Sequence, residues 1–427
     1  MILSGGVFQK MTIFDFIDSN PTAFHVVDTV SKALEEADYS KMEESESWRL
    51  SKCRRCYVTR NSSSIIAFCI PEKEIKGFHI FSAHTDSPAF RIKENSEVAF
   101  EKSYVRLNVE KYGGMILSSW LDRPLSVAGR VVVKENDELV EKLVNIDKDL
   151  CVIPNVAIHM NGDLNKGYTY SVQSDMLPLF SDGEGKEKFE EMVAEAARVK
   201  KEDILGKDLF MYTRQKGTYA GYGDSLIVSP RLDDQACCFA GLSGLLDSEA
   251  GEYIRVLALF DNEEVGSGTK QGADSTFLED VLYRIAESLS FSRTDYLKLL
   301  SNSFMVSADN AHAVHPAMPS KADITNRPVL NGGIVIKYNG NQRYATDGVS
   351  AAFFKDLCDK CGAKTQTYAN NSDIAGGSTL GNISTAHVSV KTVDIGLPQF
   401  SMHSAVETMG SSDVEDMIKM ATAFFNL

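Results

Sequence analysis

No apolar run in the chain approaches the ~20 residues an α-helix needs to cross a bilayer, so no membrane partner or spanning helix is expected. Positive charge is also scarce. The 44 Lys and Arg stand against 59 Asp and Glu, a formal net charge of −15. That balance argues against nucleic acid or an anionic membrane surface, both of which select for clustered Lys and Arg. It leaves room for a small basic pocket. The opening MILSGGVFQKMTIFDF lacks the charged segment and long apolar stretch of a secretory leader, which points to a cytoplasmic protein. The eight cysteines then read as reduced thiols. Two CxxC pairs, Cys53/Cys56 and Cys358/Cys361, could together supply four thiolates to a structural zinc, but neither is flanked by the glycine-rich turns of zinc ribbons. They are read as helix or loop cysteines. Internal repeats and low-complexity tracts are missing too.

What is present is an ordinary soluble composition, 43% hydrophobic and 24% charged, on 427 residues, which is long enough for two cores. Apolar residues at helical spacing from Ala23 onward, after Asn20-Pro21-Thr22, predict an amphipathic helix. SSIIAFCI and GFHIFSAH predict strands, the second stopped by His84-Thr85-Asp86-Ser87-Pro88. From about residue 91 to 229 the texture changes to short alternating runs broken by glycines, with little helical periodicity before Lys186. From Arg231 onward helices (QACCFAGLSGLLDS, FLEDVLYRIAESLS) alternate with strands (IRVLALF, SFMVSA). The expected fold class is therefore α/β. A mixed, largely parallel sheet flanked by helices would be formed by 1–90 and 230–427, with an inserted, mostly β domain at 91–229.

Open α/β sheets bind ligands beyond the carboxyl ends of their strands, so the residues after each apolar run carry the information. His84-x-Asp86 follows GFHIFSA, and Asp233-Asp234 precede the helix QACC. Glu263-Glu264 follow RVLALF, Asp309 follows SFMVSA, and His403 follows TVDIGLPQFSM. Each alone is an unremarkable turn or cap. Together they make a mixed imidazole and carboxylate set that suits zinc, cobalt or manganese better than calcium or magnesium, and is large enough for two divalent ions sharing a bridging carboxylate. Adjacent glutamates diverge, so Glu264 can ligate while Glu263 faces a water acidified by the ions and takes its proton as it attacks a carbonyl. Asp86 fits the carboxylate that orients a ligating histidine from its far nitrogen.

The ordered segments SAHTDSPAFRIK, SPRLDDQA, FDNEEVGS, SADNAHAVHP and SMHSAVE, with NPTAFHVV, IPNVAIHM and IKYNGNQRYAT, resemble the aspartyl aminopeptidase family of dinuclear zinc metallopeptidases over essentially the whole chain. The resemblance implies that Asp233 bridges the ions, with His84 and Asp309 completing one and Glu264 and His403 the other. Glu263 would be the general base, with Asp86 behind His84. It places on His159 the role of a histidine that the inserted, dimerising domain of a neighbouring subunit contributes to the site. It also implies a substrate pocket in which Lys337, with Tyr344, meets an acidic N-terminal side chain. The partners so implied are peptides with a free N-terminus and further copies of the chain, in a dodecamer built from dimers. Two positions depart from the animal members: Asp234 stands where they carry Asn, and Val406 where they carry Arg. His312 and His315 are read as supporting structure, and YATDGVS and SDIAGGSTLG as loops of the substrate cleft. The competing readings are an aminopeptidase of broad or neutral specificity and, from another class, a non-catalytic peptide-binding scaffold. Against the latter, a mere binder needs no general base.

Overall fold

The computed structural model describes residues 11–50, 53–249, 251–374 and 376–427. The first ten residues, on which the reading of a leader partly rests, lie outside these. Chain contacts divide the protein into two compact units. The first comprises the chain up to Asp86, Gly217–Met402 and Glu407–Leu427; the second comprises Ser87–Lys216 and the short segment His403–Val406.

In the first unit a helix α1 (Ile13–Ser19) precedes the expected one, α2 (Ala23–Glu36). The start of α1 is set by a capping box: Asp15 N donates to Thr12 Oγ1 at 3.1 Å while Asp15 Oδ2 accepts from Thr12 N at 2.9 Å. α2 buries Phe24, Val26, Val27, Val30 and Leu34 on one face, which is the periodicity visible in the sequence. The central sheet has nine strands: β1 (Ser40–Lys41), β2 (Arg55–Arg60), β3 (Ser64–Cys69), β4 (Phe78–His84), β5 (Ile254–Phe260), β6 (Phe304–Ala308), β7 (Ile334–Tyr338), β8 (Thr365–Ala369) and β9 (Lys391–Gly396). Their order is β1-β2-β3-β5-β4-β6-β9-β7-β8. β5, β4, β6 and β9 run parallel to their neighbours in that series. β4 and β5 are buried at every position, as strands covered on both faces must be, and this explains their continuous apolar runs.

Helix α3 (Leu232–Asp247) lies on this sheet and carries glycine at two positions for a steric reason. A Cβ at Gly241 would come within 2.6 Å of the Phe81 ring, and one at Gly244 within 2.5 Å of Ala421 Cβ. Large side chains on α3 would push it off both the sheet and the C-terminal helix Ser411–Phe425. A smaller sheet in the same unit joins Thr218–Ala220, Leu226–Ser229, Glu407–Gly410, Pro398–Phe400 and Ala311–His312. Residues 217–229, grouped with the insertion by their texture, join this sheet: Leu226–Ser229 pair with Glu407–Gly410 and Thr218–Ala220 with Leu226–Val228, and the first unit resumes at Gly217. Alternation alone could not distinguish one antiparallel partner from another.

The second unit is built on a six-stranded antiparallel sheet with the order Glu138–Asn145, Leu125–Glu135, Ile204–Thr213, Ala89–Phe100, Tyr104–Tyr112 and Leu179–Asp182. Its core holds Phe90, Leu107, Trp120, Val127, Val131 and Leu209, with Phe189 and Val193 from the helix Phe189–Ala197. Gly129 is required there. Its φ is +152°, and a Cβ would sit 1.9 Å from the Asp208 carbonyl oxygen of the adjacent strand.

Candidate metal centre

Parallel strands β4, β5 and β6 release their C-terminal residues at one edge of the large sheet, with Phe260 in register with His84. β4 ends in His84, β6 is followed by Asp309, and β5 runs on into Asp261-Asn262-Glu263-Glu264. That turn is pinned at several points. Asp261 N donates to Ser64 Oγ at 2.8 Å. Asn262 takes φ 65°, a left-handed conformation that asparagine tolerates better than most residues, and its Oδ1 accepts from Thr269 Oγ1 at 2.9 Å and Gln271 Nε2 at 2.7 Å. The buried Asp86 then accepts the backbone N–H of Glu263 on Oδ1 and that of Glu264 on Oδ2, both at 3.1 Å. One carboxylate thus fixes the direction in which both glutamates leave the chain.

The same Asp86 addresses His84. His84 Nδ1 lies 3.1 Å from the Asp86 carbonyl oxygen and 3.3 Å from Asp86 Oδ1, so the proton belongs on Nδ1 and the opposite nitrogen is left as the one that could ligate. That nitrogen, Nε2, lies 3.4 Å from Asp233 Oδ1 and 3.8 Å from Asp309 Oδ1. Asp233 enters from the start of α3, where its N–H donates to Glu407 Oε2 at 2.9 Å, and the Asp233–Asp234 peptide is cis. Asp234 Oδ2 accepts from His84 N at 3.1 Å. Candidate ligand atoms of His84, Asp233, Asp234 and Asp309 all lie within 4.8 Å of one another, as do those of His84, Glu263 and Glu264. Behind Asp309, its Oδ2 accepts from Thr379 Oγ1 at 2.6 Å and lies 3.2 Å from Lys337 Nζ. Lys337 in turn sits 5.5 Å from the centre of the Tyr344 ring.

This crowding governs the protonation states. Burial, together with Asp309, Asp86 and Asp233, pushes the Glu263 carboxyl up to about 8 against the pull of His84. Burial and Asp233 carry Glu264 well above the ordinary carboxyl range, and burial likewise raises Asp234. Asp309 goes the other way: although burial opposes it, Lys337 and His84 hold its carboxyl below the usual value. Six carboxyl groups, those of Asp86, Asp233, Asp234, Glu263, Glu264 and Asp309, converge on one imidazole and one ammonium. Such a set cannot ionise fully by itself, and divalent cations would relieve the mutual repulsion while using the oxygen and nitrogen donors that zinc accepts. The donor set therefore fits a zinc-type centre.

Residues 16–425 match the family model described as Aminopeptidase I zinc metalloprotease (M18). The chain belongs to the M18 aminopeptidase family. It is 45% identical to a protein named Probable M18 family aminopeptidase 2 from Clostridium novyi, across 97% of this chain and 98% of the relative. A relative of the same name from Pseudomonas aeruginosa is 40% identical across 97% of each chain. Among solved structures, the cryo-EM structure of the Ape4 and Nbr1 complex superposes with a TM-score of 0.92 at 34% identity, covering 97% of this chain and 84% of that one. The S. cerevesiae mApe1 dodecamer superposes with a TM-score of 0.85 at 29% identity, covering 97% and 95%. This M18 aminopeptidase is accordingly a metal-dependent hydrolase of the expected α/β fold.

Of the residues singled out in the sequence, the structure of this M18 aminopeptidase brings His84, Asp86, Asp233, Glu263, Glu264 and Asp309 to one edge of the first unit, with Lys337 and Tyr344 behind Asp309. His403 lies in the second unit, with φ 67° and Nδ1 2.7 Å from the Gly114 carbonyl oxygen. His159 lies in the exposed segment 154–160 of the second unit and belongs to no metal-type cluster among the described residues. His312 faces the Tyr368 ring and His315 the Phe400 ring. Sequence reasoning did not anticipate Glu407, which accepts the Asp233 N–H, or Thr379, whose hydroxyl donates to Asp309. Glu407 follows SMHSAV closely and Thr379 sits in the glycine-rich SDIAGGSTLG loop, but proximity to a motif does not tell which backbone or side chain a group will meet. No helix of the described residues is long and apolar enough to cross a membrane.

Proposed function

We propose that this M18 protein is a two-metal aminopeptidase that removes an acidic N-terminal residue from peptides. The observation that carries the reading is the Asp86 bridge, which ties the His84 ring, through Nδ1, to the backbone of the glutamate pair. Asp233, His84, Asp309, Glu264 and His403 would together hold the ions. When bound, two divalent ions, zinc by preference and cobalt or manganese as alternatives, polarise the scissile carbonyl and acidify the attacking water. Glu263 Oε accepts the proton of that water, and the protonated Glu263 then donates it to the nitrogen of the leaving amine. Asp234 supports His84 by accepting its backbone N–H on Oδ2.

Preference for an acidic residue rests on Lys337. With the charge of Asp309 engaged by an ion, the buried ammonium is a source of positive field at the pocket floor, lined by the Tyr344 ring. The same ion pair favours a second reading, an enzyme of broad or neutral specificity, because Lys337 already has a carboxylate partner in the protein. His159 is assigned to a neighbouring subunit's site. Val156, Ile158 and Met160 around it are 50%, 47% and 82% exposed, an apolar surface that association would cover. With a dodecameric neighbour of the same fold, this supports an assembly built from dimers through the second unit. A cytoplasmic location accords with eight free cysteines.

The deciding experiment is Glu263→Gln assayed with elemental analysis. Metal content is expected to stay at the wild-type level while turnover falls by about 10²–10⁴-fold, the range for loss of a positioned proton carrier. Wild-type turnover in that variant would remove the mechanism.

A further inference from the structure

The two CxxC pairs turn out to be physically different. Cys358 and Cys361 lie on the helix Gly348–Cys361, where the Cys361 thiol points to the Cys358 carbonyl oxygen at 3.5 Å and the sulfurs make no mutual contact within hydrogen-bond range. Cys53 and Cys56 flank the start of β2, an edge region of the large sheet, and their sulfurs approach to 3.2 Å with the Cys56 S–H directed at Cys53 Sγ. Cys53 is half-buried and Cys56 fully buried. Arg54 and Arg55, both exposed, stand between them.

We propose that Cys53 and Cys56 form a reversible redox couple, a dithiol that low-molecular-weight disulfides convert to an intramolecular disulfide at the edge of the sheet. The geometry assigns unequal parts to the two thiols. Cys53 is the accessible one, and its sulfur accepts a hydrogen bond that stabilises the thiolate; its pKa lies below the usual value, because hydrogen bonds from Ser40 and Cys56 outweigh the opposing effect of burial. Cys56 is shielded from solvent, and burial keeps it protonated until its partner is modified. The Cys53 thiolate attacks one sulfur of R–S–S–R, forming Cys53–S–S–R and releasing one RS⁻. Cys56 then gives its proton to the released RS⁻ and attacks Cys53 Sγ, so that the Cys53–Cys56 bond forms, one RSH results and the second RS⁻ leaves. Two protein thiols are oxidised by two electrons and one external disulfide is reduced. Closing 3.2 Å to the roughly 2.05 Å of a disulfide needs about an ångström of movement. Arg54 donates to the Pro71 carbonyl oxygen and Arg55 to that of Ala37, so oxidised glutathione serves as a probe for its disulfide and not for its charge.

The test is incubation of the metal-loaded enzyme with oxidised glutathione, followed by alkylation and peptide mass mapping. The expected product is a peptide containing residues 53–56 that has lost two hydrogens and regains them with dithiothreitol, formed at least tenfold faster than any change in the 358–361 peptide. Cys56→Ser is expected to stop at the mixed disulfide on Cys53, and Cys53→Ser to leave Cys56 unmodified. The proposal is overturned if Cys53 and Cys56 stay fully alkylatable while other cysteines oxidise, or if wild type accumulates the same stable mixed disulfide as Cys56→Ser. Mapping of the unmutated protein decides the matter even if a variant fails to fold.

Discussion

Replacing Asp86 with asparagine separates the organisation of the site from its ligands, because Asp86 donates nothing to the ligand set yet contacts three members of its backbone and ring. In the native chain one carboxylate oxygen accepts from Glu263 N and the other from Glu264 N, each at 3.1 Å, and Oδ1 lies 3.3 Å from His84 Nδ1. Asparagine is isosteric but keeps one acceptor. Whichever way the amide turns, one backbone N–H of the glutamate pair faces an NH₂ group, and the imidazole N–H loses its anionic partner. Hydrogen bonds to a charged group contribute about 1.5–3 kcal/mol, so losing one and weakening a second removes about 2–4 kcal/mol of ordering from the turn. Expressed in function, an outer carboxylate of this kind is worth about 10–100-fold in metal affinity or activity. The assay is kcat/KM on a chromogenic acidic aminoacyl substrate together with zinc affinity by chelator competition; D86N is expected to lose both within that range. Wild-type values for both would refute the claim that Asp86 aligns His84 and the glutamates.

Other expectations follow the same logic. Lys337→Met is expected to lower kcat/KM for Asp- and Glu-terminal substrates at least tenfold and leave Leu-terminal substrates nearly unchanged; an equal fall across the panel would assign Lys337 to Asp309 alone. Gly241→Ala places a methyl group within 2.6 Å of the Phe81 ring and should destabilise the fold by about 1–3 kcal/mol in urea titrations, whereas the same change on an open helix face stabilises by about 1 kcal/mol. His79 is buried between Tyr253 and Phe424, and burial drops its pKa to about 4 despite the Phe424 carbonyl. The folded protein therefore holds it neutral while the unfolded chain protonates it below about 6.5, so its share of stability is complete above pH 6.5 and is lost as pH falls from 6.5 toward 4. His79→Phe should flatten that part of the stability–pH curve, and parallel curves would discount the effect. Purified enzyme should elute far above the 47.0 kDa of one chain, with His159→Ala retaining the assembly but losing turnover; an active monodisperse monomer would defeat the shared-site idea.

The strands that carry the centre were legible because β4, β5 and β6 are buried on both faces and must read as unbroken apolar runs, and their last residues then fall at one edge by topology. His84, Glu263 and Asp309 are visible for that reason. Asp233 is different: it precedes a helix, and only its company with other acids distinguishes it from a cap. Two features escaped. The helix α1 was passed over although Thr12-x-x-Asp15 is a capping pair, because the stronger periodicity from Ala23 drew the boundary. The insertion's C-terminal end was drawn late because residues 218–229 alternate as the insertion does, while the partner of Leu226–Ser229, Glu407–Gly410, lies almost two hundred residues away in sequence. Long-range pairing of this kind has no local signature.

The wide sequence spacing of the cluster has a consequence for how the protein matures. His84 and Asp86 leave the ribosome more than two hundred residues ahead of Asp309, and Asp233 and the glutamates arrive between them. A nascent chain therefore offers passing cations only fragments of a binding site, too sparse to compete with free chelators. Strong capture would await the seating of β6 beside β4, so that an ion would be a late seal on a finished sheet instead of a template for its folding.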